Sequence, residues 1–439
     1  MHLYKCGFIK VFNLKNSIVD DRYNLLWLFA GLLVVFVLGV LLFPLAGFFL
    51  FFFVAFLIAN SSKFKLKRMV FFVLYIMLVM CIIINENSIQ RFIYREDDFT
   101  TYYNNYLELL NGNYEFLFQF GGGAEIGLPA LNYIFSFFIG NPFPYFLQMT
   151  YIGMYIVMLY YLVSIDRYFG NRDKSNKLDL LLWATLFLKI TAMLTIERQA
   201  VASFFILYAI SDIRRKYLWL FIGCLFHLST PVVYLAVRFV LNTKTNKKVL
   251  VSCIALILFV VFSHQLLSVI NHILPNDKVG YVLYYINNGD FIKNELVKSI
   301  KQVSYVIPLL LLDFAMRLQG YRWKLSSSLQ LFVYSMLILS FLPGVPTRIF
   351  MPIVFILYGF YYYDFICLFR IKTRVIIFLI ITSFFSVYKF FLPGYYYRYP
   401  IANIYPGYYI SSFFDKYGYV ERYSLPYSSD ININNDDKL

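Results

Sequence analysis

Two arginines that begin apolar runs are the residues in this sequence most suited to chemistry. Arg198 lies in LTIERQAVASFF (194–205), between Glu197 and Gln199. Arg348 begins the apolar run that follows the turn LPGVPT. Arginine presents a planar fork of N–H donors that matches phosphate oxygens, and a helix start adds a favourable dipole for an anion. Both positions, with Gln199 beside the first, therefore predict phosphate binding. The alternative is that each arginine only anchors its helix at the lipid headgroups.

Three titratable side chains could move a proton near those arginines. His227 lies in FHLSTP, and an imidazole accepts a proton near neutral pH. Asp98 and Glu125 belong to an acidic, aromatic segment, residues 86–127, which carries seven acids against two arginines. A carboxylate can act as a general base, and it can also bind sugar hydroxyls. The alternatives are a packing role for His227 and solvated positions in a loop for the two acids.

Lys189 and Glu197 place charge in or beside the apolar run 178–195. A charged side chain at membrane depth is costly, and it usually marks a functional site. We therefore expect both residues to contact a substrate. The alternative is that Glu197 only pairs with Lys189 or with Arg198.

The composition indicates the class of protein. Of the 439 residues, 60% are hydrophobic, 21% aromatic and 14% charged, and the mean hydropathy is +0.65. Soluble domains contain about 45–50% apolar and about 25% charged residues. The chain is therefore predicted to be an all-α, polytopic integral membrane protein. Its five cysteines are scattered without a disulfide or metal-binding pattern, and neither a metal nor a cofactor is predicted.

The basic residues predict the orientation in the membrane. Loops rich in Lys and Arg alternate with the other loops, and basic loops are typically cytoplasmic. The net charge of +15 is therefore assigned to topology and not to a nucleic-acid partner. The N-terminus is predicted to be cytoplasmic and the tail, residues 393–439, external. The eleven predicted spans lie near residues 23–43, 45–60, 69–85, 144–164, 178–195, 198–213, 249–270, 302–317, 326–342, 349–367 and 373–391.

Two apolar segments are too short or too broken to be ordinary spans. Residues 217–241 have basic clusters on both sides and Pro231 in the middle, which predicts a hairpin of short helices with His227 at its apex. Residues 121–141 predict a re-entrant element that enters from the outside. The tyrosines of the tail 393–439 suit either sugar stacking or the membrane interface.

The segment ERQAVASFFILYAISDIRRKYLWLFIGCLFHLSTPVVYL (197–235) resembles the core of EpsG-like, Wzy-type polysaccharide polymerases. That core has Arg-Gln at the start of a helix, a basic turn, and a short helix that ends in His-x-Ser. Here the matching residues are Arg198, Gln199, His227 and Ser229.

Two outer segments also resemble that family. DDFTTYYNNY (97–106) is similar to its acidic-aromatic motif, with Asp98 and Tyr102 at the matching positions. AEIGLPALNYIF (124–135) is similar to the segment that follows, with Glu125 matching.

The resemblance implies a membrane glycosyltransferase, similar in fold to the GT-C type. Its expected substrate is an oligosaccharide repeat unit carried on undecaprenyl pyrophosphate, and its product is O-antigen, capsule or exopolysaccharide. The expected location is the outer face of the bacterial cytoplasmic membrane. Membrane lipid, a flippase and a chain-length regulator are the expected partners.

The residue-by-residue expectations follow from the patterns and the resemblance together. They are His227, Asp98 and Glu125 as catalytic residues; Arg198, Arg348 and Gln199 on the pyrophosphate; and Tyr102, Ser229, Lys189 and Glu197 on the rest of the substrate. A lipid-linked oligosaccharide flippase or other transporter is one alternative, although the inverted repeats typical of transporters are not evident in this sequence. An O-antigen ligase-like glycosyltransferase is another, because it differs mainly in the acceptor.

Overall fold

The computed structural model describes most of the chain and leaves out both of its ends. The described residues are 31, 34, 44–61, 67–87, 98–140, 144–166, 169, 176–273, 283, 284, 286–321 and 323–391. Within these ranges the chain is helical and contains no β-strand. Nearly all of the predicted span 23–43 and the predicted external tail 393–439 lie outside the described residues.

The chain divides into two compact units, and the first comprises residues 1–90 and 382–439. Its described helices include α1 (Pro44–Asn60) and α2 (Lys67–Asn87), which pack against each other. Both helices are apolar along their length, as their sequences predict. Phe52 of α1 and Leu74 of α2 are fully buried.

The second unit, residues 91–381, holds every predicted site residue. Its helices are α3 (Asp98–Leu110), α4 (Gly127–Ile139), α5 (Pro144–Ile165), α6 (Lys177–Phe187), α7 (Ile190–Thr195), α8 (Glu197–Ser211), α9 (Lys216–Phe226), α10 (Thr230–Leu241), α11 (Asn246–Ile273), α12 (Gly289–Ser304), α13 (Ile307–Leu318), α14 (Ser326–Leu339), α15 (Val345–Pro352), α16 (Tyr358–Ile366) and the part of α17 (Ile371–Phe391) up to residue 381.

An aromatic core holds α6 and α16 together. The rings of Trp183 and Tyr362 stack with their centres 6.2 Å apart, and those of Phe187 and Tyr362 are 4.3 Å apart. A Cβ at Gly359 would overlap the backbone of Trp183, and so only glycine permits this close approach. The buried rings make this helix pair a rigid support for the elements around it.

A broken helix and a helix with an irregular turn contact each other beside that core. Pro352 cannot donate a helical hydrogen bond, and a π-helical turn, Ile353–Leu357, follows it before α16 begins. The carbonyl oxygen of Phe355 in that turn accepts a hydrogen bond of 3.1 Å from the N–H of Lys189. The prediction of one continuous helix over 178–195 is therefore wrong, because Leu188 is extended and Lys189 bonds outside its own helix.

Several described helices are suited to a membrane. Three are long and apolar enough to cross one alone: Phe146–Ile165, Asn246–Ser263 and Val345–Ile366. The pair α12 and α13, bent by 56°, makes a fourth if it is counted as one span. The described structure is all-helical and is compatible with a membrane protein. The count of eleven spans and the GT-C likeness stay predictions.

Candidate functional site

A buried carboxylate connects two of the predicted residues. Glu125 is only 3% exposed. Its Oε2 accepts a hydrogen bond from Nη1 of Arg198 at 2.5 Å, and its Oε1 accepts one from the backbone N–H of Leu228 at 2.9 Å. Nδ1 of His227 lies 3.0 Å from the same Oε1, although the ring is not oriented for a well-directed hydrogen bond. These contacts compensate the cost of burying the carboxylate.

The backbone in front of Glu125 requires glycine. Gly121, Gly122 and Gly123 all have positive φ angles, of 59°, 66° and 89°. Residues with a Cβ rarely adopt this left-handed conformation. At Gly121 a Cβ would also lie 2.8 Å from Cδ of Glu125. The GGG sequence therefore folds the chain tightly against the carboxylate.

Two more glycines bring the neighbouring helices close to that carboxylate. A Cβ at Gly127, the first residue of α4, would lie 2.7 Å from the ring of Phe226 at the end of α9. A Cβ at Gly223 would lie 2.8 Å from Cγ2 of Thr230, the first residue of α10. The segment with Glu125 thus packs directly against the junction between α9 and α10.

Arg198 lies in the first turn of α8, between a carboxylate and two rings. Its guanidinium carbon is 4.4 Å from the ring centre of Phe120 and 6.0 Å from that of Tyr102. Tyr102 is buried on α3, with its ring edge-to-face against Phe120. The Arg198 side chain keeps 29% of its surface accessible. It is therefore fixed in position and still open to a ligand on one side.

His227 is the residue that caps the end of α9, three residues before α10 starts at Thr230. Thr230 donates a hydrogen bond of 2.6 Å to the His227 carbonyl, which closes the turn. Burial lowers the pKa of His227, and although Glu125 opposes this effect, Arg198 and Arg348 lower the pKa further. The imidazole is therefore neutral at neutral pH and available to accept a proton. Two short helices of 11 and 12 residues hold it in place.

Gln199 connects α8 to α15. Its Nε2 donates a hydrogen bond of 2.8 Å to the backbone oxygen of Arg348, whose side chain is exposed. Asp98 is exposed at the start of α3, and partial burial raises the pKa of its carboxyl while Arg198 and Arg348 lower it. The two arginines therefore share an electrostatic environment with both Asp98 and His227.

The comparison with protein families identifies the chain. The EpsG family matches residues 89–403, which is more than half of the sequence and includes all ten predicted site residues. The chain belongs to the EpsG family. The resemblance inferred from the Arg-Gln and His-x-Ser segment is thereby confirmed. No curated protein and no solved structure matches it.

In this EpsG-family chain, the predicted substrate residues have different surroundings. Ser229 is half-buried next to the His227 turn. Glu197 is fully buried beside Tyr151. Nζ of Lys189 lies 4.2 Å from the ring centre of Tyr305, at the break between α6 and α7. Lys189 thus has a cation–π environment of its own. Ser229 instead adjoins the set formed by Glu125, Arg198 and His227, called the Glu125 group below.

Sequence reasoning missed a buried polar network that supports α3 and α4. The hydroxyl of Tyr151 donates to Oδ1 of Asn132, and Nδ2 of Asn132 donates to Oδ1 of Asn105 at 3.0 Å. Nδ2 of Asn105 in turn donates to Gln119 and to the Phe116 carbonyl, at 2.7 and 2.8 Å. The signal in the sequence was the presence of the amides Asn105 and Asn132 among aromatic and apolar residues, where a buried amide needs a hydrogen-bond partner. The network fixes the 3₁₀ segment that leads to the glycines.

The chemistry open to this site is that of arginines, carboxylates and an imidazole. Among the residues that the structure describes, no group of three His, Cys, Asp or Glu side chains could hold a metal ion. A neutral imidazole beside arginines suits proton transfer next to a phosphate group.

Proposed function

We propose that this protein is a polysaccharide polymerase that joins oligosaccharide repeat units carried on undecaprenyl pyrophosphate. The observation that carries the proposal is the Glu125 carboxylate, which links Arg198 to the His227 turn beside Arg348. Membership of the EpsG family supports the polymerase class. The proposed location is the outer face of the cytoplasmic membrane, which rests on the charge distribution of the loops.

The arginines are proposed to stabilise the leaving group. In the reaction, a hydroxyl oxygen of one repeat unit bonds to the sugar C1 of the growing chain, and the bond from C1 to the pyrophosphate oxygen breaks. The electron pair of that bond leaves with the lipid pyrophosphate. Arg198 and Arg348 both lie in the first turns of helices and can hold this increasing negative charge. Gln199 keeps α8 and α15 in register through the Arg348 carbonyl.

His227 is proposed as the general base. It is neutral at neutral pH and takes the proton of the attacking hydroxyl. Glu125 already accepts hydrogen bonds on both oxygens, and so we assign it to positioning His227 and Arg198. Asp98 is exposed near the arginines and is the second candidate for the proton, or a ligand of the sugar hydroxyls.

The remaining predicted residues take supporting roles in this proposal. Tyr102 and Ser229 are substrate contacts, because they adjoin Arg198 and His227. Lys189 is half-buried at the break between α6 and α7, and Glu197 is fully buried at the start of α8. Both fit the support of α7 and α8 better than direct contact with a substrate.

Reconstitution tests the proposal directly. Purified protein in liposomes is supplied with lipid-linked repeat units. Two products are measured: polymer, by its chain length on a gel, and released lipid pyrophosphate. The wild type should produce both, and Arg198→Ala should produce neither. Arg238→Ala is the matched control, because Arg238 donates to Tyr234 on α10 and takes no part in the Glu125 group. Translocation of the lipid without any new glycosidic bond would make the protein a flippase. Transfer only to an unrelated acceptor would make it a ligase.

A further inference from the structure

A polar cavity lies away from the candidate site. It has a volume of about 490 Å³ and is bounded by the ends of α5 and α8, the start of α6 and the 3₁₀ turn before α9. Tyr161, Ser164 and Ile165 of its lining are in the last turns of Phe146–Ile165, a helix long and apolar enough to cross a membrane. The cavity therefore lies at the level where a spanning helix leaves the bilayer. The volume is within the usual range of ligand pockets.

The cavity is rich in cations. Lys177, Arg214 and Arg215 line it, and all three residues are exposed. The two arginines form the 3₁₀ turn that follows α8, and the ammonium of Lys177 donates to the Ser164 carbonyl at the opposite wall. Arginine and lysine side chains at this spacing offer several N–H donors to one anion.

Neutral and acidic groups complete the lining. The hydroxyls of Tyr161 and Ser211 can donate to the same anion. Two carboxylates, Asp166 and Asp212, also line the cavity. Oδ2 of Asp166 accepts the N–H of Phe169, and Asp212 caps the end of α8. Three cations against two carboxylates leave a net positive charge in the lining.

The surface beside the cavity is apolar and aromatic. Ile213, Tyr217 and Phe221 are exposed by 73%, 74% and 62%. The indole of Trp219 packs edge-to-face on Tyr161, with ring centres 5.9 Å apart. Exposed apolar residues next to arginines, with Trp and Tyr at the boundary, are typical of a helix that meets lipid headgroups.

We propose that this cavity binds the phosphate headgroup of an anionic phospholipid. The cations and hydroxyls bind the phosphate, and the acyl chains lie along the exposed apolar residues of α9. The apolar flank favours a lipid over a free phosphate ion. The cavity is at the end of α8 opposite to Arg198, and so it holds a structural or regulatory lipid and not the substrate of the proposed reaction.

Lipid titration of the purified full-length protein in detergent tests this inference. Short-chain phosphatidylglycerol is titrated against short-chain phosphatidylcholine, and the change of tryptophan fluorescence is recorded. The double variant Arg214→Gln, Arg215→Gln should bind phosphatidylglycerol about 25-fold more weakly, which is the combined effect of two cations near an anionic lipid. Lys247→Gln with Lys248→Gln is the matched control, because these two exposed lysines lie outside the cavity. Lys177→Gln, with an expected loss of about 5-fold, serves as a second variant if the first folds poorly.

Three results would overturn the assignment. Equal weakening in the control variant would indicate a general surface charge effect. Equal affinity for phosphatidylcholine would show that the cavity does not recognise the net negative charge of the lipid headgroup. Displacement of phosphatidylglycerol by millimolar inorganic phosphate would identify a free phosphate site instead. Selective loss in the cavity variants, with an unchanged thermal midpoint, supports the lipid.

Discussion

Replacement of Glu125 by Gln is the sharpest test of the candidate site. Glutamine keeps the shape of the side chain and one acceptor oxygen but removes the charge. In the native site, Oε2 is 2.5 Å from Nη1 of Arg198, and Oε1 accepts the N–H of Leu228. The amide can retain the Leu228 contact, because that contact needs only a neutral acceptor. It loses the charge-assisted bond to Arg198 and the attraction for a protonated His227.

The expected loss of stability in Glu125→Gln depends on how deeply Glu125 and Arg198 are buried. A hydrogen bond to a charged group contributes about 1.5–3 kcal/mol, and breaking a fully buried ion pair costs about 3–5 kcal/mol. Glu125 is buried, but the Arg198 side chain is 29% exposed and can turn towards water. We therefore expect a loss of stability of about 2 kcal/mol. The rate should fall about 100-fold, because a displacement of about 1 Å in a catalytic group can have that effect.

Two measurements on the same proteoliposomes check the expected losses of stability and rate. The thermal midpoint of unfolding reports the stability, and the rate of pyrophosphate release in a single turnover reports the chemistry. Glu115→Gln is the matched control, because Glu115 is an exposed carboxylate in the segment before the glycines. Wild-type rate and stability in Glu125→Gln would refute the positioning role. A rate below that of His227→Ala would instead make Glu125 the base.

Four further predictions concern residues around that carboxylate. Arg198→Lys and Arg348→Lys should each abolish long polymer at normal protein abundance, since a point charge cannot replace the planar fork; normal chain lengths on a gel would reduce them to anchors. His227→Ala should lower the rate about 10²–10⁴-fold without unfolding. Burial holds the pKa of His227 in the free enzyme below its ordinary 6.5. Wild-type kcat/KM and stability should therefore both persist down to that pH and fall only in more acidic buffer; a kcat/KM that falls already above pH 6.5 would contradict this. Gly127→Ala should cost about 1–3 kcal/mol by overlap with a ring of α9, whereas Gly153→Ala, with no atom in the way on α5, should be neutral or stabilising in the same melting experiment.

The convergence of the main site residues could be inferred from the sequence because charge is rare in it. An arginine, an imidazole or an acid in an apolar chain needs partners, and the loop charges indicated which residues face the same side. Arg198 and Glu125 do form an ion pair in the structure. The sequence could not say which partner each acid takes, because Glu125 reaches Arg198 only through the positive φ angles of the glycines before it.

The interruption of the helix at Lys189, in contrast, could not be predicted from the sequence. Residues 178–195 are uncharged apart from Asp179 and Lys189, and they contain no proline or glycine, so that local signals favour one helix. The break at Lys189 is stabilised by the Phe355 carbonyl, which is far away in sequence and lies in the π turn after Pro352. Likewise, residues 98–110 belong to the acidic, aromatic segment 86–127, and within it they form α3, with Phe99, Tyr106 and Leu109 buried on one face. Tertiary contacts decide such positions, and periodicity alone does not describe them.

The charges of the site explain how it could be stable without a substrate and still bind one. Arg198 and Arg348 are balanced by Glu125 and Asp98, and the lowered pKa keeps His227 neutral. A pyrophosphate that enters adds negative charge and competes with Glu125 for Arg198. As Arg198 turns to the ligand, the negative charge of Glu125 is less compensated, and a protonated His227, with Nδ1 3.0 Å from Oε1, can balance it. The affinity of His227 for a proton then rises when the leaving group is bound, which couples substrate binding to the activation of the base.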